Sequence, residues 1–143
     1  MSLPRPEPGL VIRYAYLWRR EAERGREESS KDRPCAIVLS TLGQDEAMRV
    51  LVLPLTHSQP THGDEALELP QAIKRHLGLD EGRSWVVISE SNLFDWPGPD
   101  LRRVEGRGSV IYGFLPPRFF EELRQRFIAA EEACRSRRVH RTD

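Results

Sequence analysis

Two strand-like runs that flank a polar turn decide the fold. The stretch reads RPCAIVLS at 33–40, TLGQDEAM at 41–48 and RVLVLPLT at 49–56. The runs Cys35–Ser40 and Arg49–Leu55 are apolar and rich in β-branched residues, and the segment between them holds Gly, Gln and Asp, which is typical of a hairpin. A hairpin centred near Gln44 pairs Cys35 with Pro54 and brings Arg33 opposite Thr56.

The end of this hairpin is predicted to form a polar rim. Arg33 offers a fork of donors suited to a phosphate, Thr56 offers a hydroxyl, and His57 could move a proton near neutral pH. Spacing alone leaves a structural alternative open, in which Arg33 pairs with Asp32 or caps a turn and Thr56 only ends a strand. Pro54 inside a strand indicates a sheet edge or a bulge.

The rest of the pattern predicts a mainly β domain. In the first strand, apolar and aromatic residues alternate between two faces. Phe120, Leu123, Phe127, Ala130 and Cys134 recur at helical spacing, so a C-terminal helix should bury them. We expect a small barrel of five to seven short strands with a short inserted helix and this C-terminal helix. The further predicted elements are strands at Leu10–Trp18, Ala66–Leu69, Ser84–Ser89 and Ser109–Leu115, and a helix at Gln71–Leu77 between Pro70 and Gly78.

Four segments outside this pattern are predicted to be irregular. Residues 1–8 form an extended N-terminal segment, and residues 9–134 form a single domain. Within that domain, Arg19–Arg33 is expected to be a mobile charged loop, with a short charged helix as the alternative, and Phe94–Pro99 is too rich in Pro and Gly to be regular. Residues 135–143 form a basic tail that is expected to be flexible.

Composition limits the classes of function. The formal net charge is zero, so any nucleic-acid site must be a local patch. The two cysteines, Cys35 and Cys134, indicate buried thiols rather than a disulfide framework. No run approaches the ~20 apolar residues of a membrane span and no signal peptide is recognised, which favours the cytoplasm. His57 and His62 lack convergent partners, so neither a metal nor a cofactor is expected.

The order of several short motifs resembles the MazF/PemK family of toxins, the ribonucleases of type II toxin–antitoxin pairs. The resemblance spans roughly residues 8–130. It rests on Arg33-Pro34 with the strand to Ser40, on Leu51–Gln59, on Arg83–Ile88, on Trp96–Arg102 and on Tyr112–Pro116 with the final helix.

This resemblance implies an SH3-like barrel, a homodimer and metal-independent cleavage of single-stranded RNA. It also implies a cognate antitoxin, and DNA binding by the toxin–antitoxin complex. By similarity, Arg33 neutralises the scissile phosphate, and Thr56 holds a phosphate oxygen or orients the ribose 2′-hydroxyl. The hydroxyl attacks the adjacent phosphorus and leaves a cyclic phosphate. The predicted RNA contacts are Ser58, Gln59, Arg19, Arg20, Lys31 and Trp96.

The sequence departs from the family after the strand Ser84–Ser89. Many members carry an acid and an arginine there, but here Glu90 is followed by no nearby arginine. The acid–base role is therefore left open between His57 and Glu90. The alternatives are a protein of the same fold that binds a protein partner, an antitoxin or a gyrase-like target, without cleaving RNA, and a degenerate toxin that only binds its antitoxin.

Overall fold

A computed structural model describes residues 3–25, 31–43, 45–63, 65–133 and 137–141. The fold is mainly β, with eight strands and three helices across these residues. The strands are β1 (Leu10–Tyr14), β2 (Arg33–Leu42), β3 (Met48–Thr56), β4 (Ala66–Glu68), β5 (Trp85–Val87), β6 (Glu90–Trp96), β7 (Ile111–Phe114) and β8 (Arg137–His140). The helices are α1 (Arg19–Glu23), α2 (Gln71–Leu77) and α3 (Pro117–Glu132).

The strands form one sheet with a branch. The main path runs β4-β5-β3-β2-β1-β7, and β6 pairs with both β3 and β8. The β6–β8 pair is parallel, whereas the strands of the main path pair antiparallel. Over the described residues no pairing joins β4 to β7, so the path is open. The strand count exceeds the predicted five to seven because β6 and β8 form where no strand was predicted.

The predicted hairpin is present in the predicted register. Cys35 pairs with Pro54, and the pairing shifts by one residue between Ile37 and Leu39. The irregularity therefore lies in β2 and not at Pro54. Nor does Pro54 mark a sheet edge, since β3 pairs with β6 along Met48–Val52 and with β5 at Leu55–Thr56. Pro54 has no backbone N–H to donate. It lies between the part of β3 that pairs with β6 and the part that pairs with β5, where neither strand needs a hydrogen bond from it. The predicted turn centre, Gln44, falls outside the described residues.

The alternation in β1 is confirmed, and both of its faces are buried. Ile12, Tyr14 and Tyr16 pack with Phe94 in an aromatic cluster, while Val11 packs in a larger cluster on the opposite face. The Tyr14 and Phe94 rings stack with centroids 4.5 Å apart. The strand thus lies between two cores, and its Val11 face also carries the half-buried Arg13.

Helices α2 and α3 confirm their predicted signals. Gly78 ends α2 in the left-handed conformation at φ 72°. Leu123, Phe127 and Ala130 of α3 are buried as the spacing predicts. The last member of that stripe, Cys134, lies outside the described residues. Cys35 is a buried free thiol, as expected.

Three of the segments predicted to be irregular prove to be regular in part. Arg19–Glu23 of the expected charged loop is helix α1, and Arg33 opens β2. Strand β6 continues to Trp96, because its Met48–Val52 partner extends past Phe94, and it stops only at Pro97. Part of the expected flexible tail, Arg137–His140, is strand β8.

Among the described residues, none of the helices has the length and the apolar character that a membrane crossing requires.

Candidate functional site

Arg33 is held at the start of β2 by its neighbours on both sides. Its backbone pairs with Tyr14 of β1. Its Nη1 donates to the Leu55 carbonyl at 3.2 Å, and its guanidinium carbon lies 4.8 Å from the centre of the Trp18 ring. Partial burial lowers the pKa of this guanidinium, and an arginine so placed is still a cation. Within the described residues, the Leu55 carbonyl is the only hydrogen-bond acceptor of the guanidinium, and its Nε is buried without one. The remaining Nη donors are available to a ligand.

Thr56 ends β3 in the neighbouring position. Its Oγ1 accepts the Ser58 backbone N–H at 3.1 Å. A hydroxyl that accepts this bond keeps its own proton to donate, which suits a phosphate oxygen or a ribose oxygen. Cys35 pairs with Pro54. Arg33 lies two residues before Cys35 and Thr56 lies two residues after Pro54, so both are at the same end of the hairpin.

A cleft of about 530 Å³, which we call the Arg33 cleft, opens at this end of the hairpin. Its charged lining consists of Arg20, Lys31, Arg33, Glu21, Asp32 and Asp80, and Thr56, His57 and Ser58 also line it. The three carboxylates are engaged by the protein. Asp32 lies 3.8 Å from Arg13 and 3.6 Å from Arg102, Glu21 accepts the Trp18 N–H, and Asp80 pairs with Lys74. An anion entering the cleft would therefore meet the guanidinium of Arg33, which the Leu55 carbonyl and the Trp18 ring hold in place.

A second cleft of about 540 Å³, the Glu90 cleft, adjoins the first. The two share Trp18, Arg20, Thr56 and Ser58, and the second adds Arg19, Gln59 and Glu90. Glu90 Oε1 accepts the Arg19 backbone N–H at 2.9 Å and the Tyr16 hydroxyl at 3.1 Å. Burial raises the pKa of this carboxyl, and the two hydrogen bonds offset that effect only in part. Glu90 is thus a carboxyl that takes up a proton more readily than an exposed one.

His57 is bound at both ring nitrogens. Nδ1 lies 2.7 Å from the Arg83 carbonyl oxygen, and Nε2 lies 2.9 Å from Asp80 Oδ2. Ser84 Oγ is 3.3 Å from the same Nδ1. The chain of Asp80, His57 and Ser84 has the composition of a hydrolase triad, but the Arg83 carbonyl accepts the Nδ1 proton, so Nδ1 is no base toward the serine. The arrangement favours a fixed histidine over a nucleophile.

The clefts gather nine of the ten predicted site residues. Arg33, Thr56, His57, Ser58, Arg20 and Lys31 line the Arg33 cleft, and Arg19, Gln59 and Glu90 line the Glu90 cleft. Trp96 lines neither cleft. It is half-buried at the end of β6, and its ring packs 6.2 Å from Phe94, which makes it part of the aromatic cluster.

Sequence reasoning missed three residues of the site. Trp18, Asp80 and Lys74 hold Arg33 or His57 through contacts that join distant parts of the chain, up to 23 residues apart for His57 and Asp80. The one available signal was Lys74 on the apolar side of a short helix next to Leu77, where a buried lysine needs a carboxylate. Over the described residues, no cluster of three or more His, Cys, Asp or Glu side chains is placed to hold a metal ion.

Comparisons with family models, with curated proteins and with solved structures found no match to this chain.

Proposed function

We propose that the chain is a toxin of the MazF/PemK type, an endoribonuclease that cleaves single-stranded RNA in the Arg33 cleft without a metal ion. The observation that carries the proposal is the meeting of the Arg33 guanidinium, with unused Nη donors, and the Thr56 hydroxyl in one cleft. The order of motifs across residues 8–130 supports the family. On this proposal the mainly β fold is a variant of the SH3-like barrel, and the protein acts in the cytoplasm as a homodimer under the control of an antitoxin.

The proposed reaction requires the protein mainly to position the RNA and to stabilise negative charge on the phosphate. The ribose 2′-oxygen forms a bond to phosphorus while the bond from phosphorus to the 5′-oxygen breaks, which gives a 2′,3′-cyclic phosphate and a free 5′-hydroxyl. Arg33 stabilises the charge that builds on the non-bridging oxygens, and Thr56 donates to one of them. The 2′-hydroxyl gives its proton to a base, and Glu90, whose raised pKa suits that task, lies in the adjoining cleft. The departing 5′-oxygen takes a proton from solvent water, which gives the free 5′-hydroxyl.

One observation favours a second function, partner binding without cleavage. Both ring nitrogens of His57 and one oxygen of Glu90 already have hydrogen-bond partners within the protein. His57 therefore has no free ring nitrogen to take up a proton, and the Glu90 oxygen that accepts two hydrogen bonds is a weaker base for them. A protein of the same fold that binds an antitoxin or another protein target would need no free acid or base.

The experiment compares cleavage by the wild type and by Arg33→Ala. Each protein is incubated with mixed-sequence single-stranded RNA in the presence of a chelator, and the product ends are identified by mass spectrometry. We expect cyclic phosphate ends from the wild type and a loss of activity by about a hundredfold or more in the variant.

Arg49→Ala is the matched control. Arg49 is an exposed arginine of the same hairpin, 3.4 Å from Asp95 and outside both clefts. It should cleave like the wild type. Equal activity of Arg33→Ala and wild type would overturn the assignment of the site, and an inactive wild type that binds a protein target tightly would favour the second function.

A further inference from the structure

We propose that a cluster of arginines beside the Arg33 cleft is a second contact surface for single-stranded RNA, which binds the phosphates of the strand where it leaves the cleft. We call this cluster the Arg13 patch, and its members are Arg13, Arg102, Arg103 and Arg107. The inference rests on the proposed function, since it extends the path of the same substrate. It adds that a substrate must reach several nucleotides beyond the scissile phosphate to bind tightly.

The patch adjoins the Arg33 cleft through Asp32. This residue lines the cleft, and its two carboxylate oxygens face two arginines of the patch: Oδ2 lies 3.8 Å from Arg13 and Oδ1 lies 3.6 Å from Arg102. Arg13 of β1 also pairs with Pro34 of β2, which lines the cleft as well. A strand that leaves the cleft on the side of Asp32 and Pro34 therefore meets the patch next.

Backbone contacts hold three of the arginines together. Arg13 Nη1 donates to the Arg103 carbonyl at 3.1 Å, and the Arg102 backbone N–H donates to the Arg13 carbonyl at 2.9 Å. Arg102 Nη1 donates to the carbonyls of Pro99 and Leu101. These acceptors are neutral, so they orient the guanidinium groups without cancelling their charge.

A β-bulge places the fourth arginine. The β1–β7 register shifts between Val11 and Ile12, so Tyr112 has no partner on β1. Its carbonyl accepts Arg107 Nη1 at 2.8 Å, and the Arg107 guanidinium carbon lies 5.8 Å from the centre of its ring. Burial raises the pKa of the Tyr112 hydroxyl, and the charges of Arg13 and Arg107 act in the opposite direction, since both guanidinium groups lie near it. A bulge redirects a side chain and is common beside functional sites.

The patch carries more positive charge than its carboxylates neutralise. Among the residues that the structure describes, Arg103 and Arg107 have no ion-pair partner, and Asp32 is shared by the other two arginines. The loop between β6 and β7 has two acidic residues: Asp100 is engaged by a buried arginine, and Glu105 is exposed in a turn. A local excess of positive charge attracts a polyanion although the net charge of the chain is zero.

Continuity with the Arg33 cleft favours a nucleic acid over an acidic peptide. A single strand whose scissile phosphate lies at Arg33 presents further phosphates on either side, and one side of the cleft leads to the patch through Asp32. A guanidinium group presents a fork of donors that matches phosphate oxygens. The patch would therefore add affinity for the phosphate backbone without reading the bases.

The test measures how two uncleavable probes bind at several salt concentrations. Both are fluorescent single strands with 2′-deoxy sugars, of twelve and of three nucleotides, and anisotropy gives their affinities. We expect the double variant Arg103→Gln/Arg107→Gln to bind the long probe about tenfold less tightly, with a slope of log affinity against log salt that is shallower by about 1.4, because each phosphate contact to a single strand contributes about 0.7. It should bind the short probe like the wild type.

Two further proteins make the result specific. The double variant Arg124→Gln/Arg126→Gln removes the same charge from two exposed arginines of α3, which lie outside both clefts, and should bind both probes like the wild type. Arg103→Gln alone changes an exposed side chain that makes no contact with the described residues, so it tests the patch even if loss of Arg107 disturbs the fold. It should weaken binding of the long probe by about threefold and reduce the slope by about 0.7.

Equal affinity of Arg103→Gln and of the wild type for the long probe, or an equal loss in the α3 variant, would overturn the inference. So would a patch variant that keeps its affinity for the long probe but loses affinity for a glutamate-rich peptide, because the surface would then fit an acidic protein partner. If Arg33→Ala binds both probes as well as the wild type, the proposed function itself fails. If Arg33→Ala weakens binding of both probes while the patch variants bind like the wild type, only the inference fails.

Discussion

The guanidinium carbon of Arg33 lies 4.8 Å from the centre of the Trp18 indole ring. Trp18 directly precedes α1, so the position of the Arg33 guanidinium depends on the segment that joins β1 to α1. A cation over an indole is stabilised by the negative face of the ring while its edge donors stay available to a ligand. The contact therefore fixes the orientation of the Arg33 guanidinium without occupying its N–H donors.

Removing the indole should weaken binding of RNA. A partly buried cation–π contact contributes about 1 kcal/mol. We therefore expect Trp18→Ala to bind a fluorescent single-stranded oligonucleotide with 2′-deoxy sugars, which cannot be cleaved, about fivefold less tightly than wild type. Trp18→Phe keeps an aromatic face and should retain most of the affinity. Anisotropy titrations at one pH measure both. Equal affinities of Trp18→Ala and wild type would show that Arg33 is positioned by its Leu55 hydrogen bond alone.

The Thr56 hydroxyl should matter more for the rate of cleavage than for binding. Its Oγ1 accepts the Ser58 N–H, so the hydroxyl keeps its own proton to donate. Loss of one such donor to a developing charge lowers turnover by roughly a hundredfold. We expect this loss in Thr56→Val, which keeps the shape of the side chain, and near-normal turnover in Thr56→Ser. Single-turnover rates with saturating protein measure the effect, and a Thr56→Val variant with the wild-type rate would remove Thr56 from the chemistry.

Stability should depend on pH through Glu90. Burial raises its pKa, so the folded protein holds this proton more tightly than the unfolded chain does. The resulting stabilisation is complete below the unfolded pKa and is lost as the pH rises through the folded pKa. Glu90→Gln should thus match the wild type at about pH 4 and become the more stable protein toward pH 7. Urea unfolding at several pH values measures the difference.

Glu68 provides a control of opposite sign. A hydrogen bond from Arg83 lowers the pKa of this exposed carboxyl, so its stabilisation is present at neutral pH and lost as the pH falls through the folded pKa. Glu68→Gln should therefore be the less stable protein at pH 7 and approach the wild type in acid. A Glu90→Gln variant that follows the same trend as Glu68→Gln would contradict the burial of Glu90.

The sequence predicted the hairpin because its information is local. Strand alternation and turn composition set the register that pairs Cys35 with Pro54, and this register alone brings Arg33 to Thr56. The contacts that complete the site are not local. Nothing in the sequence around His57 indicates Asp80 as its partner, because the approach depends on where the turn after α2 lies relative to the end of β3.

The segments interpreted as irregular show the same limit. Arg137–His140 has no alternation of apolar residues, and it becomes a strand only because β6 offers it an edge. Composition predicted that Phe94–Pro99 would break the sheet, but the partner strand β3 keeps β6 regular up to Trp96. Tertiary pairing thus overrides local preference at both places.

The C-terminal strand should stabilise the domain through one buried arginine. Only 4% of the Arg141 side chain is exposed. Its Nη2 lies 2.9 Å from Asp100 Oδ2, and its Nη1 donates to the Ala15 carbonyl at 3.0 Å and to Asn92 Oδ1 at 3.2 Å. Asn92 in turn exchanges two hydrogen bonds with the backbone of Leu17. The arginine therefore ties the end of β8 to the segment that leads into Trp18.

Removal of this arginine leaves Asp100 without its buried cation. Breaking a buried pair on one side costs about 3 kcal/mol, so we expect Arg141→Met to lower the free energy of unfolding by that amount in urea titrations. Arg138→Met is the matched control, since Arg138 is an exposed arginine of β8, 2.7 Å from Glu131. It should cost less than about 1 kcal/mol. If Arg141→Met costs as little free energy of unfolding as Arg138→Met, the buried arginine contributes no specific stability, and the segment is the flexible basic tail that the sequence predicted.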